Sequence, residues 1–96
     1  METSEQVLAA ARSFQRTQYR RAASARAEAD RLAVVALRLD ADAAMAGEAE
    51  AELKVAMAEA SRRLSARYGE LAGAHTEVAR FAGGLIREYQ AAQLAA

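Results

Sequence analysis

The chain has 96 residues, 53% of them apolar, and its 13 basic residues balance 13 acidic ones. Neutrality argues against a protein whose main task is to neutralise nucleic acid or a charged membrane surface. Cysteine is absent, which excludes disulfides and thiolate metal sites, and no proline interrupts the chain. The composition therefore predicts one small domain built from long helices.

The first predicted helix begins at Thr3 or Ser4 and runs to about residue 40. A hydroxyl at either position can cap the helix, and Glu5 in the first turn suits the helix dipole. Mostly apolar residues recur at steps of three and four, which is typical of one helix face. This first seam consists of Val7, Ala11, Phe14, Gln18, Ala22, Ala25, Ala29, Leu32, Ala36 and Leu39.

A turn is predicted at about residues 41–47. Asp40 and Asp42 would oppose the dipole at the end of a first helix, but they become favourable if the chain turns there. Gly47 is the only glycine between the two seams, and the acidic residues directly after it suit the start of a second helix.

The second predicted helix spans about residues 48–92 and carries a longer seam. Gly83 and Gly84 lie inside it, so a kink or a close helix contact is expected there. The seam follows alternating steps of about three and four residues. Its members are Leu53, Met57, Ala60, Leu64, Tyr68, Leu71, His75, Val78, Ala82, Leu85, Tyr89 and Ala92.

Two seams joined by a short turn predict an all-α fold, an antiparallel two-helix hairpin that forms one domain over residues 1–96. A lone hairpin buries one stripe on each helix, so we expect two hairpins to pair into a four-helix bundle. Phe14 and Phe81 are expected to be core anchors in contact with each other. The predicted packing seam contains Phe14, Leu32, Leu39, Leu53, Met57, Leu64, Leu71, Val78, Phe81 and Leu85.

No residue pattern indicates catalysis. His75 is the only histidine, and its neighbours one helical turn away are apolar or alanine, which predicts a partly buried seam residue. Paired carboxylates occur only near the turn, where capping and solvation explain them. We therefore expect neither an enzyme nor a cofactor or metal site.

Five arginines and no acid lie between Arg12 and Arg26, and Arg12, Arg16 and Arg20 share one helical face. Such a face could bind phosphates. In a neutral chain, a solvated surface or contact with an acidic partner protein is favoured over nucleic-acid binding.

The N-terminal residues lack the pattern of a cleaved secretory signal, and no apolar stretch is long enough to span a membrane. We expect the protein to be made in the cytoplasm. Export, if it occurs, would use a route that reads no cleaved signal.

The layout resembles the Trp-Xaa-Gly helical-hairpin family of type VII (ESX) secretion. In that family a tryptophan and a glycine mark the turn, where this chain has Met45 and Gly47, and a tyrosine followed by an acid forms part of the export signal. Tyr89 matches the tyrosine, whereas Gln93 stands in the place of the acid. The resemblance implies a homodimer or heterodimer with a similar hairpin and secretion without a cleaved signal. The missing acid would fit a chain whose dimer mate carries the export signal.

The expected function is therefore that of a non-enzymatic interaction protein, a type VII secretion substrate or its dimer partner. A cytoplasmic adaptor or chaperone-like module is one alternative. A polymerising assembly subunit and a small nucleic-acid-binding helical protein are the others.

Overall fold

The computed structural model describes residues 2–96, which form two long antiparallel helices. Helix α1 spans Ser4–Ala44 and helix α2 spans Glu48–Ala95, joined by a turn at residues 45–47. The molecule is a rod with extents of 73 × 17 × 16 Å. The predicted all-α helical hairpin is confirmed.

Helix α1 begins where the sequence predicts it, because Thr3 and Gln6 form a capping box. The Thr3 hydroxyl accepts a hydrogen bond from the Gln6 backbone N–H at 3.2 Å, and the Gln6 side-chain oxygen accepts one from the Thr3 N–H at 2.8 Å. Two backbone donors that the helix leaves without partners are satisfied in this way.

Both helices extend beyond their predicted ends, by four residues in α1 and three in α2. Asp40 lies within α1, and its carboxylate accepts a hydrogen bond from the Arg62 guanidinium of α2 at 2.7 Å. This ion pair counters the unfavourable position of a carboxylate near a helix C terminus. Asp42 is exposed, so water screens its charge.

Gly47 is the N-cap of α2, with φ of −67° and ψ of 164°. This is extended backbone that any residue adopts, and an added Cβ would meet nothing within 4 Å. Glycine is therefore not required by the conformation of the turn, although it does mark the start of α2 as predicted.

The two helices contact each other mainly through small side chains. Among the described residues, nine of the eleven buried apolar side chains are alanines, and the other two are Leu32 and Ile86. Because alanine projects so little, the helix backbones can approach closely. Gly83 is buried in this contact, and a Cβ added there would lie 2.7 Å from Nε2 of Gln15, the end of a flexible side chain of α1. The predicted close contact near Gly83 is present, and α2 continues through it unbroken.

The stripe of α2 that faces α1 differs from the predicted packing seam. The contact shares Tyr68, His75, Ala82 and Tyr89 with the seam predicted for α2, but its other members belong to a neighbouring stripe at the same spacing: Ala51, Lys54, Ala58, Ser61, Ser65, Ala72, Ala79 and Ile86. The larger members of the predicted seam are exposed in the hairpin: Leu53, Met57, Leu64, Leu71, Val78 and Leu85. Both stripes satisfy the helical period, so periodicity could not distinguish them, and side-chain size favoured the wrong one for this contact.

Phe14 and Phe81 are not core anchors of the hairpin, because they are 50% and 69% exposed. The packing residues predicted for α1 agree better with the structure, because Leu32 is buried and Leu39 is half-buried.

We predict that Ala72→Leu lowers the free energy of unfolding by about 1–3 kcal/mol, because a larger side chain would force the helices apart. Ala72 is 1% exposed. Ala66→Leu makes the same change at an exposed position of α2 and should alter stability by less than about 0.5 kcal/mol. Urea denaturation followed by circular dichroism measures both values, and equal effects would contradict the close alanine contact.

Candidate protein-interaction surface

A row of large apolar side chains runs along the outside of α2. Leu71 lies near its middle, and five of its members recur at intervals of seven residues. We call this row the apolar stripe; it consists of Leu53, Met57, Leu64, Leu71, Val78, Phe81 and Leu85. Each of these side chains is at least 41% exposed in the hairpin. A seven-residue spacing keeps apolar side chains on one side of a helix and is typical of helix–helix contacts.

The apolar stripe continues onto α1 at the end of the rod that carries both termini. Phe14 and Phe81 line one shallow groove of about 400 Å³, together with Ala10, Ala11, Val78, Ala82 and Leu85. Val7 lies beside Leu85 in the adjoining groove. The antiparallel register thus brings Phe14 and Phe81 to one place, as predicted, but on the surface. The stripe together with Val7, Ala10 and Phe14 is called the apolar face below.

Polar contacts between the helices set their register. Nδ1 of His75 lies 2.6 Å from Oε1 of Gln18, and the Ser65 hydroxyl donates to the Ala29 carbonyl at 2.7 Å. Near the terminal end, the Gln15 amide donates to the Ala79 carbonyl at 3.2 Å. These pairings place Leu71 of α2 beside residues 22–23 of α1.

His75 is half-buried, as the sequence predicts, but its partner could not be read from its own helix. Gln18 is 7% exposed and lies on the other helix. A side-chain amide neither accepts nor releases a proton near neutral pH, so Gln18 serves His75 only as a hydrogen-bond partner. Within residues 2–96, no buried side-chain N or O lacks a hydrogen-bond partner, and no group of acidic or histidine side chains could hold a metal ion. The pair is a part-buried hydrogen bond between the two helices.

Charged side chains lie at the edge of the apolar face on α1. Glu28 and Arg31 form a two-bond ion pair one turn apart. The hydrogen bonds from Arg31 hold the pKa of Glu28 below its usual range, and the same bonds raise the pKa of Arg31. The contribution of this exposed pair to stability is full above the ordinary pKa of a glutamate and is lost as the pH falls through the lowered value.

The arginines of the basic segment are exposed. Arg12, Arg16, Arg20, Arg21 and Arg26 all reach solvent, and none forms a salt bridge within the described part of the chain. The segment is therefore exposed in the hairpin. Its role as a solvated surface or as a contact for an acidic partner protein stays a prediction.

The turn and the C-terminal tyrosine of the family resemblance lie at opposite ends of the rod. Met45 is 89% exposed at the turn, next to the exposed Gly47. Tyr89 is half-buried and lines the groove that also contains Val7, while Gln93 is exposed one turn further along α2.

Comparison with known proteins finds no matching family model, no matching curated protein and no matching solved structure. None of the helices in the described residues is long and apolar enough to cross a membrane. The function of the apolar face is therefore inferred from its geometry alone.

The contact between Gln18 and His75 can be measured by a double-mutant cycle. We predict that Gln18→Ala and His75→Ala are coupled by about 0.5–3 kcal/mol in the free energy of unfolding, because each change removes the other's hydrogen-bond partner. The control cycle combines His75→Ala with Arg16→Ala, which replaces an exposed residue and should be additive. Coupling of equal size in both cycles would rule out a specific contact.

Proposed function

We propose that this chain is a non-enzymatic interaction protein whose apolar face docks onto a second helical hairpin to form a four-helix bundle. One observation carries the proposal: nine of the eleven buried apolar side chains among the described residues are alanines, whereas most of the large apolar side chains are exposed. In a protein that acts alone, the large side chains would be expected in the core.

The energetics support docking. Burying a leucine, valine, phenylalanine or methionine side chain completely is worth about 1.5–3 kcal/mol, and the apolar stripe offers seven such side chains that are about half exposed or more. Contiguous apolar patches of more than a few hundred Å² are rare on proteins that remain monomeric. The stripe is therefore expected to be covered in the working protein.

The spacing of the stripe indicates what covers it. Side chains that repeat every seven residues form a ridge suited to another helix, whereas a strand would need alternation at every second residue. The ridge runs from Leu53 to Leu85 along a 73 Å rod, so a partner of similar length would use all of it. A second helical hairpin has this shape.

The finer proposal is that the pairing serves type VII (ESX-like) secretion, with this chain as a substrate or as the dimer partner of one. Its support is the hairpin turn at Gly47 near the middle of the chain and Tyr89 near the end of α2. Gln93, one turn after Tyr89, lacks the acid of the family's export signal, which favours the role of dimer partner. Secretion into the medium that requires the export machinery would support it. Unchanged secretion when that machinery is deleted would contradict it.

The docking proposal predicts that Leu64→Asp abolishes assembly but leaves the hairpin helical. Leu64 lies outside the contact between α1 and α2, whereas a docked helix would bury the unpaired carboxylate. Assembly would be measured by sedimentation equilibrium, for the chain alone and co-expressed with short helical-hairpin proteins encoded beside it.

Leu37→Asp is the matched control, because Leu37 is an exposed leucine of α1 that lies outside the apolar face. It should leave assembly unchanged. If Leu64→Asp assembles as well as the wild type, with itself and with every co-expressed hairpin, the apolar stripe is not the docking surface.

A further inference from the structure

We infer that one side of α1 binds a short acidic helix of another protein. This side is called the basic surface and consists of Arg12, Arg16, Tyr19, Arg20 and Arg26. At about 100° per residue, these side chains lie about 120–160° around the axis of α1 from Phe14, which belongs to the apolar face. A hairpin docked on the apolar face would leave the basic surface exposed. The inference therefore goes beyond the docking proposal and does not depend on it.

The charges of this neutral chain are segregated along the rod. No acid occurs between Glu5 and Glu28, whereas residues 28–59 at the turn end hold eight acids and three bases. The arginines of the basic surface are exposed, and none of them forms a salt bridge within residues 2–96. Because no carboxylate on this part of α1 offsets them, their positive potential is available to an acidic partner.

The spacing of the arginines indicates a helical partner. Arg12, Arg16 and Arg20 recur at every fourth residue, so they follow one another at steps of about 6 Å along α1. Glutamates at every fourth residue of a partner helix rise by the same distance, and a guanidinium can bond a carboxylate through two N–H groups. The surface spans about 20 Å, which corresponds to about four turns of the partner helix.

The basic surface also permits a close contact. The exposed Ala23 and Ala27 lie on the same side of α1, and alanine projects so little that a partner helix can approach. Tyr19 is 44% exposed and adds an aromatic side chain to the surface. Tyrosine and arginine are enriched among the residues that contribute most to protein–protein binding.

A long polyanion such as nucleic acid fits this surface less well. Glu5 and Asp30 lie beyond its two ends on α1, and the exposed Glu70 and Glu77 lie beside it on α2. The register of the helices places Glu77 at the level of Arg16. These four carboxylates would repel a continuous row of phosphates, whereas a short helix can place its acids opposite the arginines only.

The test is an NMR titration of the isotope-labelled chain at low ionic strength, because exposed ion pairs give weak binding that NMR detects. The probe is a peptide of four Glu-Ala-Ala-Ala repeats. Amide signals of residues 12–26 should shift more than those elsewhere in the chain. Combining Arg12→Gln, Arg16→Gln and Arg20→Gln should raise the Kd about tenfold, because each exposed ion pair contributes a few-fold to affinity.

The matched control combines Arg21→Gln, Arg63→Gln and Arg67→Gln, which removes the same charge from exposed arginines outside the basic surface. It should leave the Kd within about twofold, since these side chains would not touch the bound helix. Circular dichroism checks that both triple variants remain helical. Equal weakening by the two triple variants, or shifts spread evenly along the rod, would overturn the basic surface as the binding site.

Further arms test the partner. A peptide of the same composition with its four glutamates in succession should bind more weakly, and equal affinity would overturn the helical spacing. An absence of shifts at millimolar peptide would overturn the acidic helix. A single-stranded DNA oligonucleotide that binds the basic surface more tightly than the peptide would overturn it in favour of nucleic acid. The Leu64→Asp chain should bind the peptide as the wild type does, so this test and the docking test fail separately.

Discussion

Close contact between alanines is the constraint on which the rest of this structure depends. Residues such as Ala58, Ala72 and Ala79 let α2 lie against α1 with almost no side chain between the backbones. At these alanine positions a leucine or phenylalanine would push the helices apart. The chain therefore keeps its hairpin close by placing most of its large apolar side chains elsewhere, and on α2 five of them lie one position before a buried residue of the contact.

This arrangement gives the two faces of α2 different roles. The inner face supplies register, through the pair of Gln18 with His75 and the bond from Ser65, but it buries little large apolar surface. The outer face holds most of the hydrophobic free energy that burial could still release. Among the described residues, only Leu32 and Ile86 are larger apolar residues that are buried. Because so thin a rod has little core, we expect association to provide much of its stability.

The sequence was sufficient to predict the helices and their antiparallel order, because an uninterrupted helical period and the cap at Thr3 are local signals. It was not sufficient to choose which stripe of α2 packs inward, because two adjacent stripes share the same period. The end of α1 was also missed, since Asp40 depends on Arg62 of the other helix. The helical spacing of large apolar residues predicted most members of the candidate surface, but only the structure shows that they lie outside the contact between α1 and α2.

The most direct test of this account is the dependence of the thermal unfolding midpoint on protein concentration, followed by circular dichroism over a hundredfold range. Association through the outer face stabilises the folded state by mass action, so the midpoint should rise steadily with concentration. A midpoint that stays constant over that range, with full helicity at the lowest concentration, would show that the alanine contact alone sustains the fold and that the outer face does not bind a second copy of the chain.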